Sequence, residues 1–244
     1  MHTPVFGLLV CLLLGALGVR ILLRSRASGK PTEGLVGIYF VGIGLGSVPA
    51  LLAGNPQLFS GTSSRVAMAF GHLVLSLGFG ALYLFVWRCF GTHSLVRRSA
   101  ALGGCAVLAL LYVIQAVAEN FVPPGGAVVR VTAVVRAGAL IWALGESLRY
   151  WLMMRRRVEL GLTDAVIANR FLLWCLWMGG MLGAIGVVIL TRFLEIDIGP
   201  EAALAPRLMI VGSTLGLALL GGLSLWFAFF PPHWYAERLH ARRS

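Results

Sequence analysis

Seven apolar segments follow one another along this chain, and each is about as long as a lipid bilayer is thick. A helix rises about 1.5 Å per residue, so the roughly 30 Å hydrocarbon core takes about 20 residues to cross. The segments cover residues 4–23, 34–53, 66–87, 99–118, 127–154, 164–191 and 208–230. Inside hydrocarbon every backbone polar group needs a partner within the chain, and a helix supplies it. The pattern predicts an all-α polytopic membrane protein, a bundle of seven transmembrane helices.

The amino-acid composition excludes a water-soluble protein. Hydrophobic residues make up 59% of the chain, charged residues make up 12%, and the mean hydropathy is +0.89. Soluble domains carry about 25% charged residues. The connections between the apolar segments are short, which leaves no room for a separate soluble domain. We therefore predict one transmembrane domain over residues 1–244.

The formal net charge of +11 would indicate nucleic-acid binding in a soluble protein. Here, however, the basic residues lie in particular connections, and membrane proteins gather arginine and lysine on the cytoplasmic side. With the amino terminus outside, most of the 20 basic residues fall on the inner side. These are Arg20, Arg24, Arg26, Lys30, Arg88, Arg97, Arg98, Arg149, Arg155, Arg156, Arg157, Arg170, Arg238, Arg242 and Arg243. We predict a multi-pass protein of the cell inner membrane, amino terminus out and carboxyl terminus in, with no nucleic-acid partner.

The fifth segment is longer than a bilayer requires. From Ala127 to Leu160 it contains no proline, which predicts about 50 Å of helix, so its inner end projects beyond the membrane. Gly161 is the expected stop, because glycine readily adopts the left-handed conformation just past a helix. The pair Thr163 and Asp164 is expected to cap the next helix, since an oxygen acceptor and an acid both suit a helix amino terminus.

The projecting end carries the basic run Arg155–Arg157. Basic residues at this depth contact anionic lipid headgroups, which is one interpretation of the run. Because the helix continues through it, a docking surface for a cytoplasmic protein is the alternative. Asp164, Asn169 and Arg170 lie on the same side and complete the candidate cytoplasmic surface.

Glu146 lies within the fifth segment, about one turn inward of Arg149. An unpaired charge inside a bilayer costs about 2.5 to 3.5 kcal/mol, so Glu146 is expected to be paired, protonated or facing water. Trp142, Glu146 and Tyr150 are spaced four apart and share one helix face. A structural pair with Arg149 or with an arginine of another helix is one interpretation. A site for a proton, a cation or a ligand is the other.

A second polar group is predicted nearer the outer surface. Arg136 and, two turns above it, Arg130 belong to the fifth segment, and Gln115 and Glu119 belong to the fourth. The short connection makes these segments antiparallel neighbours, so we predict an ion pair of Glu119 with Arg130 or Arg136. It would either tether the two helices or line an outer polar cavity.

His72 is the only histidine deep within a span, since His2, His93, His233 and His240 lie in loops or near the termini. One histidine cannot supply a bis-histidine haem site or a zinc site built from several histidines. The only lysine is Lys30, so a retinal Schiff base on the last helix is excluded. His72 is interpreted as a packing residue or as part of a polar path.

No other pattern indicates a catalytic, cofactor or metal site. The serine-containing stretches lack the Gly-x-Ser-x-Gly spacing of a nucleophile elbow. The four cysteines, Cys11, Cys89, Cys105 and Cys175, show no Cys-x-x-Cys spacing and are expected to be buried free thiols. We predict a protein that is not an enzyme and has no cofactor.

The block RRRVELGLTDAVIANRFLLW, residues 155–174, resembles a pattern in uncharacterised bacterial seven-helix membrane proteins, GLxDPxVxNRFLLWG. In this chain Ala165 replaces the proline and Cys175 replaces the final glycine. The region is also similar to the membrane sensor portions of some histidine kinases. The resemblance implies a family without an agreed function, and it supports the seven-helix architecture more than any role.

Two functions fit these features. In the first, the protein is a signalling or accessory membrane module whose long fifth helix carries a change from the membrane to a cytoplasmic partner. In the second, it is a small transporter or channel with Glu146 and His72 in a polar intramembrane path.

Overall fold

The computed structural model describes residues 3–53, 59–91, 93–122, 126–193, 204–229 and 232. These residues form seven α-helices and one short π-helix, and they contain no strand. The helices are α1 Thr3–Ser28, α2 Pro31–Ala53, α3 Gly61–Phe90, α4 Leu95–Ile114, the π-helix Gln115–Glu119, α5 Ala127–Glu159, α6 Ala165–Phe193 and α7 Leu204–Phe229. The prediction of an all-α protein is confirmed.

Six of the helices, α1 to α6, are long and apolar enough to cross a membrane. Large apolar side chains such as Leu77, Leu110 and Val134 are exposed on them, as contact with lipid requires. The architecture is that of a multi-pass integral membrane protein. The predicted seventh span overlaps α7, whose described apolar stretch is the shorter Leu219–Phe229. Its predicted end at Phe230 and the basic residues Arg238, Arg242 and Arg243 lie outside the described residues.

The helices extend past the limits of the apolar segments. The first segment was predicted to end at residue 23, but α1 continues through Arg24 and Arg26 to Ser28. Arginine is a good helix former, so a helix can continue into polar surroundings beyond the lipid. Helix α2 continues through Pro49 and ends at Ala53, which is the predicted end of the second segment.

The chain divides into two compact units, Met1–Ala139 and Leu140–Ser244. In the first unit α2 packs closely against both α1 and α3 through glycines. A Cβ atom built on Gly44 would lie 2.4 Å from the backbone nitrogen of Gly15 on α1, and one built on Gly42 would lie 2.5 Å from the Cα of Gly78 on α3. No larger residue fits at such contacts. Small residues allow such close contact between helices in lipid.

In the second unit α6 packs against α7. Trp177 is 1% exposed, and its indole ring would lie 2.7 Å from a Cβ built on Gly221. The Trp174 ring meets the Phe229 ring edge to face at 5.8 Å. These large aromatic side chains on α6 and the glycine on α7 give the helix pair its complementary surfaces.

The substitution Gly42→Ala tests the close contact of α2 with α3. The added methyl group overlaps the Gly78 backbone, so we expect a loss of about 1 to 3 kcal/mol in unfolding free energy, measured by unfolding in detergent micelles. The matched control is Gly103→Ala on α4, where a Cβ meets nothing within 4 Å and alanine favours the helix. Equal stability of the two variants would contradict the packing described.

Candidate functional site

Arg136 of α5 reaches α3 in the interior of the first unit. Its Nη2 donates hydrogen bonds to the backbone oxygen of His72 at 3.3 Å and to the Ser76 hydroxyl at 3.0 Å. Its guanidinium carbon lies 5.9 Å from the centroid of the Phe79 ring, a cation–π arrangement. Within the described part of the chain, no carboxylate lies within ion-pair distance of this guanidinium. Neutral groups therefore hold the buried positive charge.

The ion pair predicted for Glu119 with Arg130 or Arg136 is wrong. The Glu119 carboxylate caps the amino terminus of α5: Oε1 accepts from the Val128 amide at 2.8 Å, and Oε2 accepts from the Gly126 amide at 3.3 Å. The first amides of a helix have no partner inside it and form its positive end. The short connection brings the carboxylate within reach of them, while Arg130 is exposed.

The connection between α4 and α5 has unusual backbone geometry. The π-helix Gln115–Glu119 leads into Asn120 at φ 46° and Phe121 at φ 52°. Left-handed conformations are uncommon for residues other than glycine, and single π-helical turns often occur at functional sites. The buried Phe121 ring packs 5.2 Å from Tyr112 and 6.5 Å from His72. Burial of this ring stabilises the costly backbone.

Buried polar side chains also lie at this connection and on the helices beside it. His72 is 5% exposed and Gln115 is 1% exposed. Among the described residues, His72 Nδ1, Gln115 Nε2 and Arg136 Nε have no hydrogen-bond partner. Each such buried atom costs about 1 to 3 kcal/mol, and clustered instances call for a functional explanation. We call His72, Ser76 and Arg136, together with Gln115 of the adjoining π-helix, the outer polar cluster, after the side of the membrane predicted for them.

Two residues that hold α3 in place around the cluster were missed by the sequence analysis. Ser76 accepts from Arg136, and the Tyr83 hydroxyl donates to the backbone oxygen of Val135 at 2.8 Å. His72, Ser76, Phe79 and Tyr83 follow a spacing of four, three and four residues, which places them on one helix face. This spacing of polar and aromatic residues is the sequence feature that could have identified Ser76 and Tyr83.

The second candidate group lies in the second unit. Glu146 is 9% exposed, Trp142 and Tyr150 are half-buried, and Arg149 is exposed. The Tyr150 ring stacks on Phe171 of α6, with centroids 5.7 Å apart. Burial of Glu146 fits its predicted place inside the membrane, and its role remains a prediction. His72 belongs to the first unit.

The carboxyl-terminal end of α5 has the predicted form. The helix continues unbroken through Arg155–Arg157 to Glu159. Gly161 has φ 71°, and the amides of Gly161 and Leu162 donate to the carbonyls of Val158 and Arg157 at 3.0 and 2.9 Å. This double hydrogen bond is a Schellman motif. The predicted stop at glycine is confirmed.

The start of α6 is capped as expected. Asp164 Oδ1 accepts from the Val166 amide at 2.9 Å, the geometry of a helix amino-terminal cap. Asn169 is half-buried and Arg170 is exposed on the first turns of the helix.

The arginines at the inner end of α5 differ in their surroundings. Arg155 pairs with Glu159 at 3.4 Å and lies 6.0 Å above the Trp151 ring. Arg149 and Arg156 instead line a groove of about 430 Å³. Arg157 is exposed beside it. The basic run is therefore one partly neutralised arginine followed by two available ones.

Comparisons of the chain with protein-family models, with curated proteins and with solved structures found no match. The resemblance of residues 155–174 to a bacterial seven-helix pattern stays a prediction. The four cysteines are free thiols; Cys11 and Cys175 are buried, whereas Cys89, beside Arg88 at the end of α3, is exposed. Over the described residues, no three His, Cys, Asp or Glu side chains form a group that could hold a metal ion.

The substitution Glu119→Ala tests the cap on α5. Without the carboxylate the Gly126 and Val128 amides lose their acceptor, so we expect faster hydrogen exchange at both amides and a loss of about 1 kcal/mol in stability. Glu159→Ala, at the opposite end of the same helix, is the control and leaves those amides unchanged. Unaltered exchange in Glu119→Ala would refute the cap.

Proposed function

We propose that this protein is a seven-span signalling or accessory module of the cell inner membrane and not an enzyme. In this proposal a stimulus at the outer polar cluster shifts α5, and α5 carries the shift to a cytoplasmic partner. The observation that supports it most is the continuity of α5, which holds Arg136 in one half and Arg155–Arg157 at its end, within one helix of 33 residues.

The length of α5 fits a transmitting role. Its 33 residues span about 50 Å, against a hydrocarbon core of about 30 Å. Twenty residues of this helix, about 30 Å of helical rise, separate Arg136 from Arg156 in the sequence. A continuous helix moves as a body, so a displacement at one end reaches the other without unfolding.

The connection before α5 supplies an element that can rearrange. The left-handed Asn120 and Phe121 follow a π-helix, and such costly backbone geometry is found at switch regions. Glu119 joins this connection directly to the first amides of α5. A polar ligand or a proton that changes the outer polar cluster would thus act next to the helix it is proposed to move.

The proposed partner surface consists of the exposed inner end of α5 and the start of α6. It comprises Arg155, Arg156, Arg157, Asp164, Asn169 and Arg170. Its excess positive charge favours an acidic surface on a cytoplasmic protein.

The topology has a direct test in reporter fusions at the carboxyl terminus. With the amino terminus out and seven spans, a carboxyl-terminal green fluorescent protein is expected to fluoresce and a carboxyl-terminal alkaline phosphatase to be inactive. The control is a pair of the same reporters in the connection after α6, which this topology places outside and which reverses both signals. An active phosphatase at the carboxyl terminus would overturn the topology and the cytoplasmic partner surface together.

The transmitting role predicts that a change at Arg136 alters the inner end of α5. In a cysteine-free background, spin labels at Arg157→Cys and Arg170→Cys report the distance between α5 and α6. We expect Arg136→Gln to shift that distance by about 1 to 2 Å or more, the size of helix shifts in switching proteins. The control Arg130→Gln removes the same charge from an exposed position on the same helix and leaves the distance unchanged.

An identical distance in all three proteins would contradict the transmitting role. The buried Glu146 and His72 favour a small transporter or channel as the second candidate. Proteoliposome flux of protons or cations that disappears in Glu146→Gln would establish transport in place of signalling.

A further inference from the structure

We infer that the groove on the inner half of α5 binds an anionic glycerophospholipid. The phosphate group lies between Arg149 and Arg156, and an acyl chain follows Leu148 and Gly145 toward the bilayer centre. The inference does not rest on the signalling proposal, although Arg156 belongs both to this groove and to the proposed partner surface, and it needs only that α5 crosses a membrane. The groove has a volume of about 430 Å³ and is lined by Gly145, Leu148, Arg149, Leu152, Met153 and Arg156.

The lining residues form one continuous stripe along α5. Their spacing from Gly145 is three, four, seven, eight and eleven residues, which places all of them on a single helix face. The end nearer the middle of the helix holds Gly145 and Leu148, and the end nearer the turn holds Arg156. Arg149 follows Leu148 directly, and Leu152 and Met153 lie between it and Arg156. The stripe thus has an apolar end toward the bilayer centre, which fits an acyl chain, followed by two arginines on either side of an apolar patch, which fit a headgroup and its glycerol backbone.

Charge complementarity argues for an anionic occupant. Arg149 and Arg156 are both exposed, and neither has an acidic partner within the described residues, in contrast to Arg155 with Glu159. Seven residues of helix separate their Cα atoms by about 10 Å along the axis, a distance that two extended arginine side chains bridge onto one phosphate. Guanidinium groups bind phosphate oxygens through paired, charge-assisted hydrogen bonds.

The apolar floor argues for a lipid rather than a soluble anion. Leu148, Leu152 and Met153 are 43%, 49% and 37% exposed, and they separate or flank the two arginines. A free phosphate gains nothing from these side chains, whereas an acyl chain or glycerol backbone buries them. An acidic protein segment would have to enter the hydrocarbon to reach Leu148 and Gly145.

Gly145 keeps the apolar end of the groove open. A Cβ atom built on it meets nothing within 4 Å, so a larger side chain fits there without displacing protein atoms. The substitution Gly145→Leu thus fills the path of the acyl chain and keeps every arginine. Its matched control is Gly186→Leu, an exposed glycine of α6 with equally open surroundings.

The experiment measures phosphatidylglycerol retained by the purified full chain, by native mass spectrometry from micelles containing equal phosphatidylglycerol and phosphatidylcholine. We expect the wild-type protein to retain phosphatidylglycerol in preference. The double variant R149Q/R156Q is expected to retain about tenfold less. The double variant R157Q/R170Q removes the same charge from exposed positions outside the groove and is expected to match the wild type.

The remaining measurements distinguish binding of a whole lipid from binding of a phosphate group alone and from nonspecific attraction by the positive charge of the protein. Gly145→Leu is expected to lower retention several-fold and Gly186→Leu to leave it unchanged, while inorganic phosphate in excess does not displace the lipid. Equal losses in the two arginine pairs would overturn the inference, because diffuse charge would then account for binding. Displacement by inorganic phosphate, or full retention in Gly145→Leu, would overturn it as well.

Discussion

Hydrocarbon offers no hydrogen-bond partner to a polypeptide, and this constraint accounts for most of the architecture. The described backbone satisfies itself in long helices, and the apolar effect that drives association in water is weak between helices in lipid. Close van der Waals packing of the helices replaces that effect, as at Gly42 and Gly44, where the backbone of α2 contacts the backbones of its neighbours. The first amides of a helix have no acceptor within it, and at the start of α5 the Glu119 carboxylate supplies one.

A buried arginine is costly in such surroundings, and the surroundings of Arg136 show how the cost is limited. A main-chain carbonyl, a hydroxyl and an aromatic ring on α3 share the guanidinium. The nearby carboxylate of Glu119 is committed to helix amides. Among the residues that the structure describes, the charge at this position is thus stabilised by neutral groups and not by a counter-charge.

Features set by local chemistry could be predicted from the sequence. The unbroken α5, the left-handed Gly161, the Asp164 cap and the glycine contacts of α2 all depend on residues a few positions apart or on residue size. The fold class followed from apolar segment length in the same way. Helix ends were less accurate, because α1 continues past the apolar residues that defined its segment.

The sequence analysis identified most residues of the candidate site but not which of them bond to one another. Arg136, Gln115, Glu119 and His72 were identified as polar residues within apolar spans, yet the partner of Glu119 was wrong and Ser76 was missed. Pairing depends on which atoms the fold brings together: nothing in the sequence signals the π-helix or the left-handed Asn120 and Phe121 that direct Glu119 to the amides of α5. Opposite charges alone were an insufficient guide.

The turn between α5 and α6 has a mechanical consequence. Its glycine motif saturates the last carbonyls of α5, and the aspartate saturates an early amide of α6, so neither terminus frays easily. Residues 160–163 are thus the only ones between two hydrogen-bonded helix ends. Any change in the angle between α5 and α6 would have to be absorbed by the backbone of those four residues.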